Sequence, residues 1–228
     1  MATKDEILSW ADGVNAYKNS DWDGALDSFQ RTGDFSRVHF NMGIIYTRLD
    51  DYESASMCYT NAIGADPYLA VAFFQRAYCA YMTEDYQRAD GDYAMALELL
   101  RENDFIDYSQ LGLKYRLYRC EAHYNRAMCA HSIGDDAICT QDVLAAQRVA
   151  RTTEQKAVID RAARVGVETV TLFTVPVDAV FEVPESKLKN INERSYLKDA
   201  KVVIDSSPGA GGDGQANWAG FDGALILN

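Results

Sequence analysis

The sequence is poor in the residues that build active centres. Its 228 residues include 3 histidines, His39, His123 and His131. All three lie in stretches patterned as helix, with no HExxH and no second ligand at metal-binding spacing. The 5 cysteines are odd in number and widely spaced, with no CxxC. That excludes a structural zinc site and fits reduced, buried thiols in a reducing compartment. There is no GxxxxGK[ST] and no nucleophile elbow. The glycine run Gly209-Ala-Gly-Gly-Asp-Gly214 follows a weak strand pattern and opens no helix, so it lacks the helix N-terminus a phosphate cradle needs. Basic residues are also short: 22 Lys and Arg face 34 Asp and Glu, a net charge of −12. A nucleic-acid binder needs a basic footprint to displace counterions, which this balance denies. No apolar run approaches the length of a membrane span, and Met1-Ala-Thr-Lys-Asp-Glu6 has no signal-peptide core. The expectation is a cytoplasmic protein with no metal, no cofactor and no catalytic residue.

What is present is a repeat. Apolar residues make up 48% and charged residues 25%, an ordinary globular mixture. From Gly43, small and aromatic residues follow at fixed offsets: Tyr46, Ala55, Tyr59, Ala62 and Pro67. A shift of 34 gives Ala77, Ala80, Ala89, Tyr93 and Ala96; the same offsets from Gly13 give Ala16, Ala25 and Phe29, and from Ala127 give Ala130, Cys139, Val143 and Ala146. Small residues recur where helices approach closely, and an aromatic recurs one turn past the second of them. This order at a 34-residue period is the signature of tetratricopeptide repeats, helix pairs that bury their faces only by stacking. The fold class expected is therefore all-α, a superhelix of four helix pairs. Thr3-x-x-Glu6 reads as a capping box opening the first helix, and polar turns such as Asn19-Ser-Asp21, Leu49-Asp-Asp51 and Thr83-Glu-Asp85 separate the helices of a pair.

The markers are unevenly spaced. Gly13 to Gly43 is 30 residues, Gly43 to Ala77 is 34, and Ala77 to Ala127 is 50. An insertion of about 16 residues between repeats 3 and 4 falls near Leu100–Tyr118 and reads as a loop or short hairpin with exposed apolar side chains. Insertions in such arrays lie on one face, often the binding face. Glu154–Val170 suits a capping helix, closing an array over residues 3–168. Residues 169–195 begin β-branched and are broken by Pro176 and Pro184, which is incompatible with continued helix and fits an extended segment along the concave groove. Residues 196–206 form a short amphipathic island, and residues 207–228 read as a flexible tail.

Particular segments resemble a known family. Ser36-Arg-Val-His-Phe-Asn-Met-Gly43, Leu69-Ala-Val-Ala-Phe-Phe-Gln-Arg76, Leu100-Arg-Glu-Asn-Asp-Phe-Ile-Asp-Tyr108, Leu111-Gly-Leu-Lys-Tyr-Arg-Leu-Tyr118 with Cys120-Glu121, and Tyr196-Leu197 with Ala200-x-Val202-Val203 are similar to the tetratricopeptide-containing activators of NADPH oxidases. These are the phagocyte cytosolic factor and its fungal counterpart. The resemblance runs from about Ile7 to Ile204. It implies binding of a GTP-loaded Rac-type small GTPase through Ser36, Asp66, Tyr68, Arg101, Asn103, Phe105 and Asp107. Tyr68 and Phe105 stand where the family has histidine and leucine. It also implies that Tyr196, Leu197, Val202 and Val203 form an activation segment acting on the membrane NADPH oxidase catalytic subunit. The protein would then be cytoplasmic and recruited to membranes on activation, with no direct insertion.

Other readings stand beside this one. Asp66, next to Pro67, equally suits a turn-shaping role, and Val202–Ile204 a short strand packed on the array. A generic tetratricopeptide adaptor or co-chaperone would need Lys, Arg and Asn converging from inner helix faces, for which Asn41, Arg76 and Arg126 are the candidates. An enzyme would have to work through Cys and Tyr side chains, which a dry core would rule out.

Overall fold

The computed structural model of the chain describes residues 3–166 and 171–189. The proposed activation residues Tyr196, Leu197, Val202 and Val203 and the 207–228 tail lie outside the described residues. Helices α1 (Lys4–Lys18), α2 (Trp22–Gln30), α3 (Ser36–Arg48), α4 (Tyr52–Ala65), α5 (Ala70–Met82), α6 (Tyr86–Leu100), α7 (Arg119–Ile133), α8 (Asp136–Val149) and α9 (Thr153–Val165) follow in order. Each odd helix packs on the even helix after it, from α1·α2 to α7·α8, and neighbouring pairs stack through α2·α3, α4·α5 and α6·α7. The all-α tetratricopeptide fold read from the periodicity is borne out. A two-stranded sheet is added to it, formed by β1 (Phe105–Asp107) and β2 (Arg116–Tyr118) between α6 and α7.

The turns within pairs repeat one device. Ser20, Asp50, Glu84 and Gly134 take positive φ, reversing the chain, and the next residue, Asp21, Asp51, Asp85 or Asp135, caps the following helix with its carboxylate. The Thr3–Glu6 capping box forms as expected. The small-then-aromatic spacing has a direct cause: a Cβ on Gly13 would lie 2.6 Å from the Phe29 ring and one on Gly43 2.5 Å from the Tyr59 ring. The aromatic of the second helix therefore sits directly against the backbone of the first, and a larger marker residue would drive the pair apart.

The final helix is shorter than the expected Glu154–Val170: α9 ends at Val165, where Gly166 takes φ +95. Ile159 and Ala162 of α9 face α7 and α8 in a second core cluster, while the main core runs through both helices of the first three pairs and into residues 173–188.

Residues 171–184 cross the face formed by the odd helices. Asn125 on α7 grips Phe173 through both amide atoms, accepting its N–H at 2.9 Å and donating to its carbonyl at 2.7 Å. Gln75 on α5 accepts from the Val175 N–H and the Thr174 hydroxyl. Asn41 on α3 accepts from the Phe181 N–H at 2.7 Å and donates to its carbonyl at 2.9 Å, joined there by Trp10 Nε1 of α1. These amides occupy one repeat position, two residues before Gly43, Ala77 and Ala127. The side chains of Val175, Ala179, Val180, Phe181 and Val183 are buried, and residues 185–189 turn helical, with Leu188 packed against the core.

Candidate functional site

The residues between α6 and α7 leave the array because α6 cannot continue. Arg101, its C-cap, has φ 54 and ψ −129, a region that only glycine enters cheaply and that costs an ordinary residue about 1–3 kcal/mol. Asn103 closes the helix end, its side-chain amide and its backbone N–H both donating to the Leu100 carbonyl. The chain then pairs Phe105 with Tyr118, Ile106 with Leu117 and Asp107 with Arg116. Not all the apolar side chains here are exposed, as the sequence suggested: Tyr108, Leu113 and Leu117 are buried and anchor the hairpin.

Three ties fix this hairpin, two to the first turns of α3 and α5 and one to the segment that crosses the odd helices. Arg37 Nη1 donates to the Leu111 carbonyl at 3.2 Å. The Val71 N–H donates to the Tyr108 hydroxyl at 3.1 Å. Gly112, at φ +97, exchanges closely with the groove segment: its carbonyl accepts the Glu182 N–H at 2.9 Å, and a Cβ there would lie 2.3 Å from the Glu182 carbonyl oxygen. On the other side, Arg119 pairs with Glu102 at 3.6 Å and Arg151 with Asp104. Asp66 faces this junction; its charge opposes the burial that lowers the pKa of Arg37, and adds to the burial that raises that of Tyr108.

The seven residues implied by resemblance are distributed along this edge. Ser36 starts α3, Asp66 and Tyr68 lie between α4 and α5, and Arg101, Asn103, Phe105 and Asp107 run from the end of α6 into β1. Tyr68 is 77% exposed and Phe105 40%. Among the described residues, no side-chain partner engages the exposed Arg101 guanidinium. One Asp66 oxygen accepts the Tyr68 N–H at 3.0 Å, so turn shaping is one of its tasks. Asp107 accepts from the Ser109 N–H and from Arg116 Nε, and these bonds lower its pKa to about 2. Arg37, Tyr108, Gly112 and Arg116 lie in the matching segments but carry no site role in the sequence reading. Once strands are placed, cross-strand alternation would have found Arg116; the other three needed the tertiary fold.

The competing sites are engaged internally. Of the clamp candidates, Asn41 holds Phe181, Arg76 makes a two-bond pair with Asp92 at 2.7 Å, and Arg126 pairs with Asp90 at 2.9 Å. Burial pushes the thiol of Cys58 up to about 11 and those of Cys79 and Cys120 up to about 12, while the hydroxyls of Tyr59 and Tyr93 rise well above their ordinary value. These groups are neutral packing elements at physiological pH.

No protein-family model matches the chain. It is 33% identical over 225 residues to neutrophil cytosol factor 2 of Mus musculus, covering 97% of this chain and 41% of that protein. The Homo sapiens protein of the same name is 35% identical over 207 residues, 89% of this chain and 39% of that one. NADPH oxidase activator 1 of Rattus norvegicus is 32% identical over 209 residues, 90% of this chain and 46% of that one. The resemblance read from the sequence is thus borne out, and the chain spans less than half the length of each of these relatives. Among solved structures, a crystal structure of MamA protein superposes with TM-score 0.55 at 12% identity, covering 88% of this chain and 99% of that one, a likeness of fold alone.

Proposed function

We propose that this chain is a regulatory activator of a superoxide-producing NADPH oxidase, docking a GTP-loaded Rac-type small GTPase and stimulating electron transfer in the membrane flavocytochrome. The observation that carries the reading is similarity over nearly the whole chain to proteins named as oxidase activators. The clustering of Ser36, Asp66, Tyr68, Arg101, Asn103, Phe105 and Asp107 along one edge supports the docking half. A GTPase presents ordered loops only with GTP bound. Arg101 can donate several fixed hydrogen bonds to carbonyls or a carboxylate of such a loop, and Phe105 and Tyr68 offer apolar area. A lipidated GTPase held at a membrane raises the local concentration of whatever docks on it. Among the described residues no helix is long and apolar enough to cross a membrane; in this reading the partner supplies the membrane attachment. Tyr196, Leu197, Val202 and Val203 then bias the oxidase toward its electron-transferring state, the activator contributing coupling free energy and no redox group.

The test is titration against a Rac-type GTPase loaded with a non-hydrolysable GTP analogue or with GDP. The expected result is GTP-dependent binding near micromolar Kd, about −8 kcal/mol, that Arg101→Glu abolishes. In reconstituted oxidase assays, Val202→Ala lowers superoxide output while leaving docking intact. A folded chain that binds neither nucleotide state would instead behave as a generic tetratricopeptide adaptor.

A further inference from the structure

Two of the seven docking residues are held by one side chain outside that set. In the register of the hairpin, Asp107 stands opposite Arg116 and Phe105 opposite Tyr118, so all four side chains share one face of the ribbon. Arg116 Nε donates to Asp107 Oδ2 at 2.7 Å, and its guanidinium lies over the Phe105 ring, 5.2 Å from the centroid. The Phe105 ring also rests against Tyr118 at 5.5 Å. With Ser109 N–H on Asp107 Oδ1 at 2.9 Å, both carboxylate oxygens are aimed and the aromatic ring is sandwiched.

We propose that Arg116 is a positioning residue of the docking surface, setting Asp107 and Phe105 before the partner arrives. The inference rests on the docking role proposed above and adds a residue to which neither the family resemblance nor the relatives' names give a role. Arginine suits this task for a stated reason. Its planar fork bonds a carboxylate through one edge while its flat face covers a ring, whereas a lysine ammonium supplies a point charge and no face. Side chains already fixed lose less conformational freedom when the partner docks, and that saving appears as affinity. The ionised state of Asp107, with its pKa lowered to about 2 by the Ser109 and Arg116 bonds, keeps the clamp closed throughout the physiological range.

The experiment is a mutant cycle on the 228-residue chain, with binding to a Rac-type GTPase carrying a non-hydrolysable GTP analogue as readout and thermal melting in parallel. Arg116→Ala should weaken binding on the order of tenfold and Arg116→Lys about threefold. Both variants are expected to melt within a few degrees of the parent. In a Phe105→Ala, Asp107→Ala background, adding Arg116→Ala should change affinity less than about twofold, because its effect passes through those two side chains. If Arg116→Ala and Arg116→Lys both bind like the parent while Arg101→Glu abolishes binding, the positioning role is wrong and the docking reading survives. A loss that persists in full in the double background makes Arg116 a direct contact and overturns positioning. A parent chain without GTP-dependent binding removes both proposals.

Discussion

Glu121 is a carboxylate almost withdrawn from water, 8% exposed on α7. The Tyr115 hydroxyl donates to one of its oxygens at 2.9 Å and Gln155 Nε2 to the other at 2.8 Å, so it joins the inserted hairpin to α9. Burial raises its pKa above 4.5, and the two donors only partly oppose that rise. The folded chain therefore keeps this proton to higher pH than the unfolded chain. Between the ordinary and the raised value the native state binds more protons, and stability falls as pH increases. Glu121→Gln removes that titration while its oxygen and the rotatable Tyr115 hydroxyl preserve most of the bonding. At neutral pH the variant should be at least as stable as the parent, within about 1 kcal/mol. Its advantage should shrink as pH is lowered toward the ordinary carboxylate range, as read from urea unfolding at several pH values. A pH-independent difference would contradict the account. Glu121→Ala should cost about 2–4 kcal/mol, because two buried donors lose their acceptor. The dipeptide Cys120-Glu121 was visible as a motif, but a charge at an inward helix position reads as surface until its two partners are brought in from distant segments.

At the scale of elements, legibility tracks the length of the pattern. The helix pairs were readable because each small residue reports a backbone contact with an aromatic 16 positions on, as Gly13 does with Phe29 and Gly43 with Tyr59. The 50-residue gap from Ala77 to Ala127 discloses extra chain there that reads as a loop or short hairpin, but strands of three residues carry too little alternation to decide between them or to set a register. The proposed docking edge is likewise legible only through resemblance to relatives, since its residues come from separate stretches of chain that the hairpin ties together. Gly112 is the sharpest of those ties. An alanine there would carry positive φ and place its Cβ against the Glu182 carbonyl, 2.3 Å away. Both are backbone problems that no rotamer relieves. Gly112→Ala is expected to destabilise the chain by about 2–4 kcal/mol, measured by chemical denaturation. A change below about 0.5 kcal/mol would mean that the hairpin and the groove segment move apart freely.

For the whole molecule, the array and the segment crossing it are one folding unit. Asn41, Gln75 and Asn125 recur at one repeat position and bond to backbone, so they hold an extended chain whatever its side chains. That ladder lies in the sequence at spacings of 34 and 50, and Gln75 is not legible as part of it because a carboxylate clamp calls for Lys, Arg and Asn. Specificity comes instead from the buried Val175, Val180, Phe181 and Val183. Each is worth about 1.5–3 kcal/mol of burial before the entropy of ordering the segment is subtracted. The proposed activation residues begin at Tyr196, seven residues beyond Lys189, the last described residue before them. A chain ending at residue 189 should therefore fold, dock the GTPase like the parent and fail to stimulate the oxidase. A chain ending at residue 166 should melt on the order of 10 °C lower, and a synthetic peptide of residues 171–189 added in trans should raise that midpoint with concentration, by mass action. The same peptide should not shift the chain ending at 189, whose groove is already filled. Equal melting of the two truncated chains would show that the array stands without its segment, and the amide ladder would then be a binding site that happens to be occupied rather than part of the core.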